Sequence, residues 1–155
     1  MKVLVDTCIW SLALRRRKRV LETAESVAAA ELAELIREGR VQMIGPIRQE
    51  LLSGISRERH YAGLRDQLRT FADEPLGTAD YEEAARISNL CRVRGVSGSP
   101  VDFLICAVAS LRGWQLFSSD GDFRRYAGQF PLPLYEPRAR GDLTDNPHFP
   151  FPNKR

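Results

Sequence analysis

Three apolar residues near the start of the chain, Val3, Leu4 and Val5, end abruptly on an acid, Asp6. A short, β-branched run without polar alternation suits a parallel strand buried on both faces, because neither face meets water. Residues 41–44 (Val-Gln-Met-Ile) read as a second strand. Residues 115–119 (Gln-Leu-Phe-Ser-Ser) read as a third that stops at Asp120, and residues 132–135 as a last one. Helical patterns fill the intervals. Across residues 20–39 the apolar positions Val20, Leu21, Ala24, Val27, Ala28, Leu32, Leu35 and Ile36 recur at three and four, with Gly39 as the stop. Pro46 suits the first position of a helix that carries Glu50. Residues 57–73 and 78–94 predict two more helices, separated by the Glu74-Pro75-Leu76-Gly77 turn and closed by Gly95. An apolar helix over 101–111 has Ser99 as N-cap, Pro100 at its first position and Asp102 at its third. A short helix then starts at Asp122. Strands alternating with helices predict an α/β domain with a mostly parallel sheet covered on both faces.

The length of 155 residues suits one such domain. After Glu136 the chain changes character, with Pro137, Pro147, Pro150 and Pro152 among Asn, Asp and Arg, so the reading divides it into a domain over 1–136 and a tail over 137–155 without regular structure. Three cysteines, Cys8, Cys91 and Cys106, form neither a CxxC pair nor an even set and are read as reduced, buried thiols. No window approaches roughly 18 apolar residues and the N-terminus has no signal-peptide pattern, so a cytoplasmic protein without a membrane partner is expected.

In parallel α/β sheets, ligands bind beyond the carboxyl ends of the strands. That rule picks out acids. Asp6 follows the first strand, Asp120 the third, Glu50 lies early in the helix after the second, and Asp102 lies in the first turn of its helix. Taken singly each has an ordinary structural reading, as a cap, a turn residue or a helix-dipole partner; the joint arrangement is what carries chemistry. Like charges held about 4 Å apart at an effective dielectric near 20 repel by about 4 kcal/mol, so such a group calls for cations or shared protons. Hard oxygen donors suit Mg²⁺ or Mn²⁺ completed by substrate phosphate oxygens. Other chemistries lack their parts. The two histidines, His60 and His148, supply neither an HExxH zinc site nor a catalytic triad, and there is no GxGxxG or P-loop pattern. Metal-assisted chemistry on phosphate remains.

The net charge is +3, and the 23 basic residues comprise 20 Arg and 3 Lys. Arginine's planar fork grips phosphate, so the set is compatible with a nucleic-acid partner. Arg15, Arg16, Arg17, Lys18 and Arg19 form the densest positive run and are candidate contacts to an RNA backbone; Arg48, Arg124 and Arg125 lie nearer the acids and are candidate phosphate contacts.

Four segments together resemble the PIN-domain ribonucleases, and among these the VapC-type toxins of bacterial toxin–antitoxin pairs: Val3-Leu4-Val5-Asp6-Thr7-Cys8-Ile9-Trp10, Arg48-Gln49-Glu50-Leu51-Leu52, Val101-Asp102-Phe103-Leu104-Ile105 and Ser118-Ser119-Asp120-Gly121-Asp122-Phe123. The resemblance covers roughly residues 1–136. It implies a three-layer α/β/α PIN-like fold and an endoribonuclease in which Asp6, Glu50, Asp102 and Asp120 bind Mg²⁺ or Mn²⁺ and activate water, with Asp122 as an auxiliary acid. Thr7 and Ser118 match the hydroxyl residues that accompany the first and fourth acids, whereas Cys8 stands where many relatives carry Asn. The implied partners are an RNA substrate, a neutralising antitoxin and a second copy of the chain. Two alternatives stay open at this stage. One is a phosphatase forming an aspartyl phosphate on Asp6, although Cys8 occupies the second place of the DxD pair that such enzymes favour. The other is a catalytically silent PIN-like RNA-binding module.

Overall fold

The computed structural model describes residues 1–14 and 23–138. The run Arg15 to Arg19, the expected helix start at residues 20–22 and residues 139–155 of the expected tail lie outside the described residues. Ten elements follow in the order β1 (Val3–Val5), α1 (Thr7–Leu14), α2 (Thr23–Arg37), β2 (Val41–Gln42), α3 (Gly45–Leu52), α4 (Glu58–Leu68), α5 (Thr78–Val93), α6 (Pro100–Arg112), β3 (Gln115–Phe117) and α7 (Gly121–Ala127).

β1 is the centre of a parallel sheet of order β2-β1-β3. Val3 and Leu4 stand opposite Val41 and Gln42 on one side, and Val3, Leu4 and Val5 opposite Gln115, Leu116 and Phe117 on the other. All three β1 side chains are inaccessible to solvent, as a central strand covered on both faces demands. Two packed groups of helices supply that cover: α1 with α2 and α3, and α3 with α4, form one; α5 with α6, which lies against β3, forms the other. α6 is the most deeply placed helix, with every residue from Phe103 to Ala109 buried. Among the described residues no helix is long and apolar enough to cross a membrane.

Local chemistry explains the boundaries. Ser99 caps α6 by accepting the N–H of Asp102 at 3.1 Å, Pro100 opens the helix, and Gly113 closes it in the left-handed region at φ 62°. Several expectations need correction. The second strand ends at Gln42: Met43 makes only a bridge to Asp73, and Ile44 is already the extended N-cap residue of α3, so Gly45 precedes Pro46 in the helix. The third strand stops at Phe117, leaving Ser118 and Ser119 to turn toward the acids. The expected last strand is a single bridge of Leu134 to Leu116, because Pro131 and Pro133 remove the donors a ladder needs. The helix expected over 57–73 stops at Leu68, and the chain turns so that the Glu74 N–H reaches the Met43 carbonyl at 2.8 Å.

Two ionic clamps tie the helices. Arg112, in the last turn of α6, donates to Glu74 (2.7 Å), to both oxygens of Asp80 on α5 and to the Pro75 carbonyl (3.0 Å). Glu31 of α2, fully buried, accepts from the Tyr135 hydroxyl and from Arg138 Nε at 2.7 Å, fastening the end of the described chain to the helical layer.

Candidate active site

The first acid sits where the central strand ends. The Asp6 N–H still continues the ladder, donating to the Phe117 carbonyl at 2.9 Å, while the Asp6 carbonyl accepts from Ile9 and Trp10 and so starts α1. The residue therefore cannot move without unpicking strand or helix. Its carboxylate is 7% exposed in residue terms. Oδ1 accepts the Thr7 N–H at 2.8 Å; Oδ2 accepts the Ser118 hydroxyl at 2.8 Å and the Cys8 thiol at 3.3 Å. Burial pushes the Asp6 carboxyl above its ordinary value; these three donors pull it back, and the charge of Glu50 adds to the rise.

Hydroxyl groups link Asp6 to its neighbours. Thr7, first residue of α1, donates to Glu50 Oε2 on α3 at 2.9 Å. Ser118, just beyond β3, donates to Asp6 and accepts the Asp120 N–H at 3.0 Å. Asp120 caps α7 by accepting the Asp122 N–H at 2.9 Å, and Asp122 pairs with Arg125 at 2.9 Å. Asp102, in the first turn of α6, accepts the Tyr126 hydroxyl of α7 at 3.0 Å. Asp6 and Asp102 both act on the buried Cys106 thiol, which burial first and these charges next push far above its usual value. Thr7 and Ser118 thus link Asp6, Glu50 and Asp120 beyond the end of β1, whereas Asp102 is tied to α7 through Tyr126. The four acids do not form a closed ligand cage: among the described residues no three His, Cys, Asp or Glu side chains stand close enough to hold a metal ion.

The chemistry of the donors fits a hard divalent cation. A nearly buried carboxylate whose side-chain and backbone partners are all neutral donors still wants positive charge, and the surrounding groups, Glu50, Thr7, Ser118 and Asp120, offer oxygen. Cys8 is the soft exception.

The arginines divide. Arg48 is not a free phosphate grip: its Nε donates to Asp73 at 2.9 Å, Nη1 to the Leu68 carbonyl at 3.0 Å and Nη2 to the Phe71 carbonyl at 2.5 Å, so it staples the end of α4 to α3. Arg124 pairs with Glu136 and Arg125 with Asp122, both through well-exposed side chains. One residue in contact with these acids, Tyr126, is not singled out by the sequence. Tyr126 gives no local signal beyond the rule that a buried phenol seeks a partner. Cys8, expected to be a buried thiol, is only half-buried and also accepts from the Ser119 N–H at 3.4 Å and hydroxyl at 3.3 Å.

A three-layer α/β/α domain whose central parallel strand ends on a nearly buried acid defines the class of protein. Residues 3–129 match the PIN domain family, and the chain belongs to that family. Two solved structures share the fold. The crystal structure of FitAcB from Neisseria gonorrhoeae superposes with a TM-score of 0.69 at 20% identity, covering 87% of this chain and 97% of that one. The crystal structure of VapBC2 from Rickettsia felis bound to a DNA fragment from their promoter gives a TM-score of 0.67 at 16% identity, covering 87% and 98%. No curated protein matches the sequence.

Proposed function

We propose that the chain is a divalent-metal-dependent endoribonuclease, the toxin of a VapBC-type toxin–antitoxin pair, acting in the cytoplasm and held inactive by its antitoxin. The observation that carries the reading is the hydroxyl-linked arrangement of Asp6, Glu50 and Asp120 at the end of β1, on a PIN fold. Likeness to VapBC2 of Rickettsia felis supports the antitoxin, and a dimer of the chain is the assembly proposed with it.

Asp6, Glu50, Asp102 and Asp120 would hold Mg²⁺ or Mn²⁺, with Asp122 as an auxiliary acid. Bound there, the cation supplies a water of lowered pKa and neutralises charge on the phosphodiester in the transition state. The chain's own residues do the rest. Ser118 and Thr7 fix the orientation of Asp6 and Glu50, so that the oxygens facing the substrate are set in advance. Asp6 must be ionised to serve, and its burial means that it gains its charge at a higher pH than a free aspartate. Arg124 and Arg125 lie on α7 beside Asp120, and their exposed pairs cost little to exchange for a phosphate. Arg15, Arg16, Arg17, Lys18 and Arg19 are the further candidates for the RNA backbone.

The test is cleavage of a mixed structured RNA pool by antitoxin-free protein with Mg²⁺ or Mn²⁺ against EDTA, alongside Asp6→Asn and Asp102→Asn. Cutting that needs both metal and acids is the expected result. Tight metal binding without cutting of any RNA, or cutting indifferent to both substitutions, would overturn the reading.

A further inference from the structure

Tyr126 is fully buried, yet its hydroxyl reaches an acid of the candidate site. Its ring is fixed on two sides, by Phe103 (centroids 5.2 Å apart) and by Phe123 (5.6 Å, edge to face). The hydroxyl end is hemmed in by backbone. A Cβ at Gly98 would lie 2.3 Å from the Tyr126 oxygen, 2.7 Å from its Cζ and 2.8 Å from the Phe103 ring. Gly98 carries no positive φ; it is glycine for space, because the phenol passes where a side chain would stand. The loop before α6 is therefore moulded on the Tyr126 hydroxyl, which donates to Asp102 Oδ2 at 3.0 Å.

We propose that Tyr126 is a positioning residue for Asp102, fixing the carboxylate for metal binding and joining α6 to the helix that carries Asp120 and Asp122. The inference rests on the metal-site reading above. A carboxylate in the first turn of a helix swivels about two torsions; a rigid donor on one oxygen selects one orientation and leaves the other oxygen for a cation. Partners behind a ligand matter nearly as much as the ligand, and their loss commonly weakens metal binding by about 10- to 100-fold. Nothing local in the sequence requires a tyrosine here, since a Phe at 126 would keep the ring contacts with Phe103 and Phe123.

The test is Mn²⁺ titration calorimetry on the full chain, for the native protein, Tyr126→Phe, Asp102→Asn and Phe123→Leu, each with a metal-free melt. Tyr126→Phe should raise the Mn²⁺ Kd about 10- to 100-fold, while Phe123→Leu, which loosens the same packing but keeps the hydroxyl, should lower the melting temperature and leave the Kd within about twofold. Native affinity in Tyr126→Phe, with Asp102→Asn weakened, would overturn the positioning role and leave the metal site standing. Loss of affinity in both aromatic variants in step with their melting temperatures would reduce Tyr126 to packing and also overturn it. No Mn²⁺ binding by the native protein would remove the metal site and this role together.

Discussion

Replacing Asp80 by Asn should unfasten α5 from α6. Asp80 is 5% exposed in residue terms and holds both donors of the Arg112 fork, at 2.5 and 3.2 Å, while also accepting the Gly77 N–H at 2.9 Å to cap its own helix. Asn keeps the cap but loses the charge. Hydrogen bonds to charged groups contribute about 1.5–3 kcal/mol, and an acid in the first turn of a helix adds about 0.5 kcal/mol through the dipole. Arg112 keeps Glu74 and the Pro75 carbonyl, which softens the loss, so the net cost at pH 7 should be about 2 kcal/mol. For a domain of this size that lowers the melting temperature by about 4–8 °C. The pH dependence is the sharper test. Arg112 holds the Asp80 carboxyl below its ordinary value, so the stabilisation is fully present above the unfolded value of 3.8 and is lost as pH falls through the lower folded value. Urea unfolding of native and variant proteins from pH 7 to pH 2.5 should show a gap that is constant down to about pH 4 and closes below it. A gap under about 0.5 kcal/mol at pH 7, or one of equal size at both ends, would refute the clamp.

Arg48→Ala should cost about 2–3 kcal/mol in urea unfolding, because the Asp73 pair and the contacts to the Leu68 and Phe71 carbonyls go together; the salt dependence of the proposed RNA binding should stay unchanged, whereas a phosphate contact would reduce its slope by about one. Gly113→Ala should cost about 1 kcal/mol through backbone strain alone, since a Cβ there meets nothing within 4 Å but the φ is 62°; an unchanged melting temperature would contradict this. Thiol titration with an aromatic disulfide should modify Cys8 slowly and spare Cys91 and Cys106 in the folded protein, with all three reacting in denaturant, because burial raises every one of these thiols and only Cys8 is partly open.

What could be read from the sequence was what local chemistry decides. A β-branched run stopping at an acid located β1 and Asp6, and Ser99, Pro100 and Gly113 framed α6 with no help from the rest of the fold. Where neighbours decide, elements are shorter than their local pattern. Residues 69–73 keep a helical pattern, but Arg48 draws the Leu68 and Phe71 carbonyls inward and Glu74 joins the sheet edge, so α4 ends early. Residues 132–135 look like a strand by composition, yet two prolines leave one bridge. At the candidate site, Asp6 and Asp120 are legible because they follow neighbouring parallel strands, which topology alone sets side by side. The Tyr126 and Cys8 contacts depend on side-chain directions across 24 and 110 positions, which no periodicity encodes.

The sheet's order has a consequence for the birth of the protein. β1 is made before the other strands, and its register partner for Val3 on the β3 side is Gln115, 112 residues later. At about 5–20 residues per second, a ribosome leaves that hydrophobic strand without its second neighbour for about 6–22 s. Closing so long a loop before any native contact rewards it slows folding. Asp6 and Asp120 therefore meet only when nearly the whole domain has emerged, and a truncated chain carries the first acid without the last.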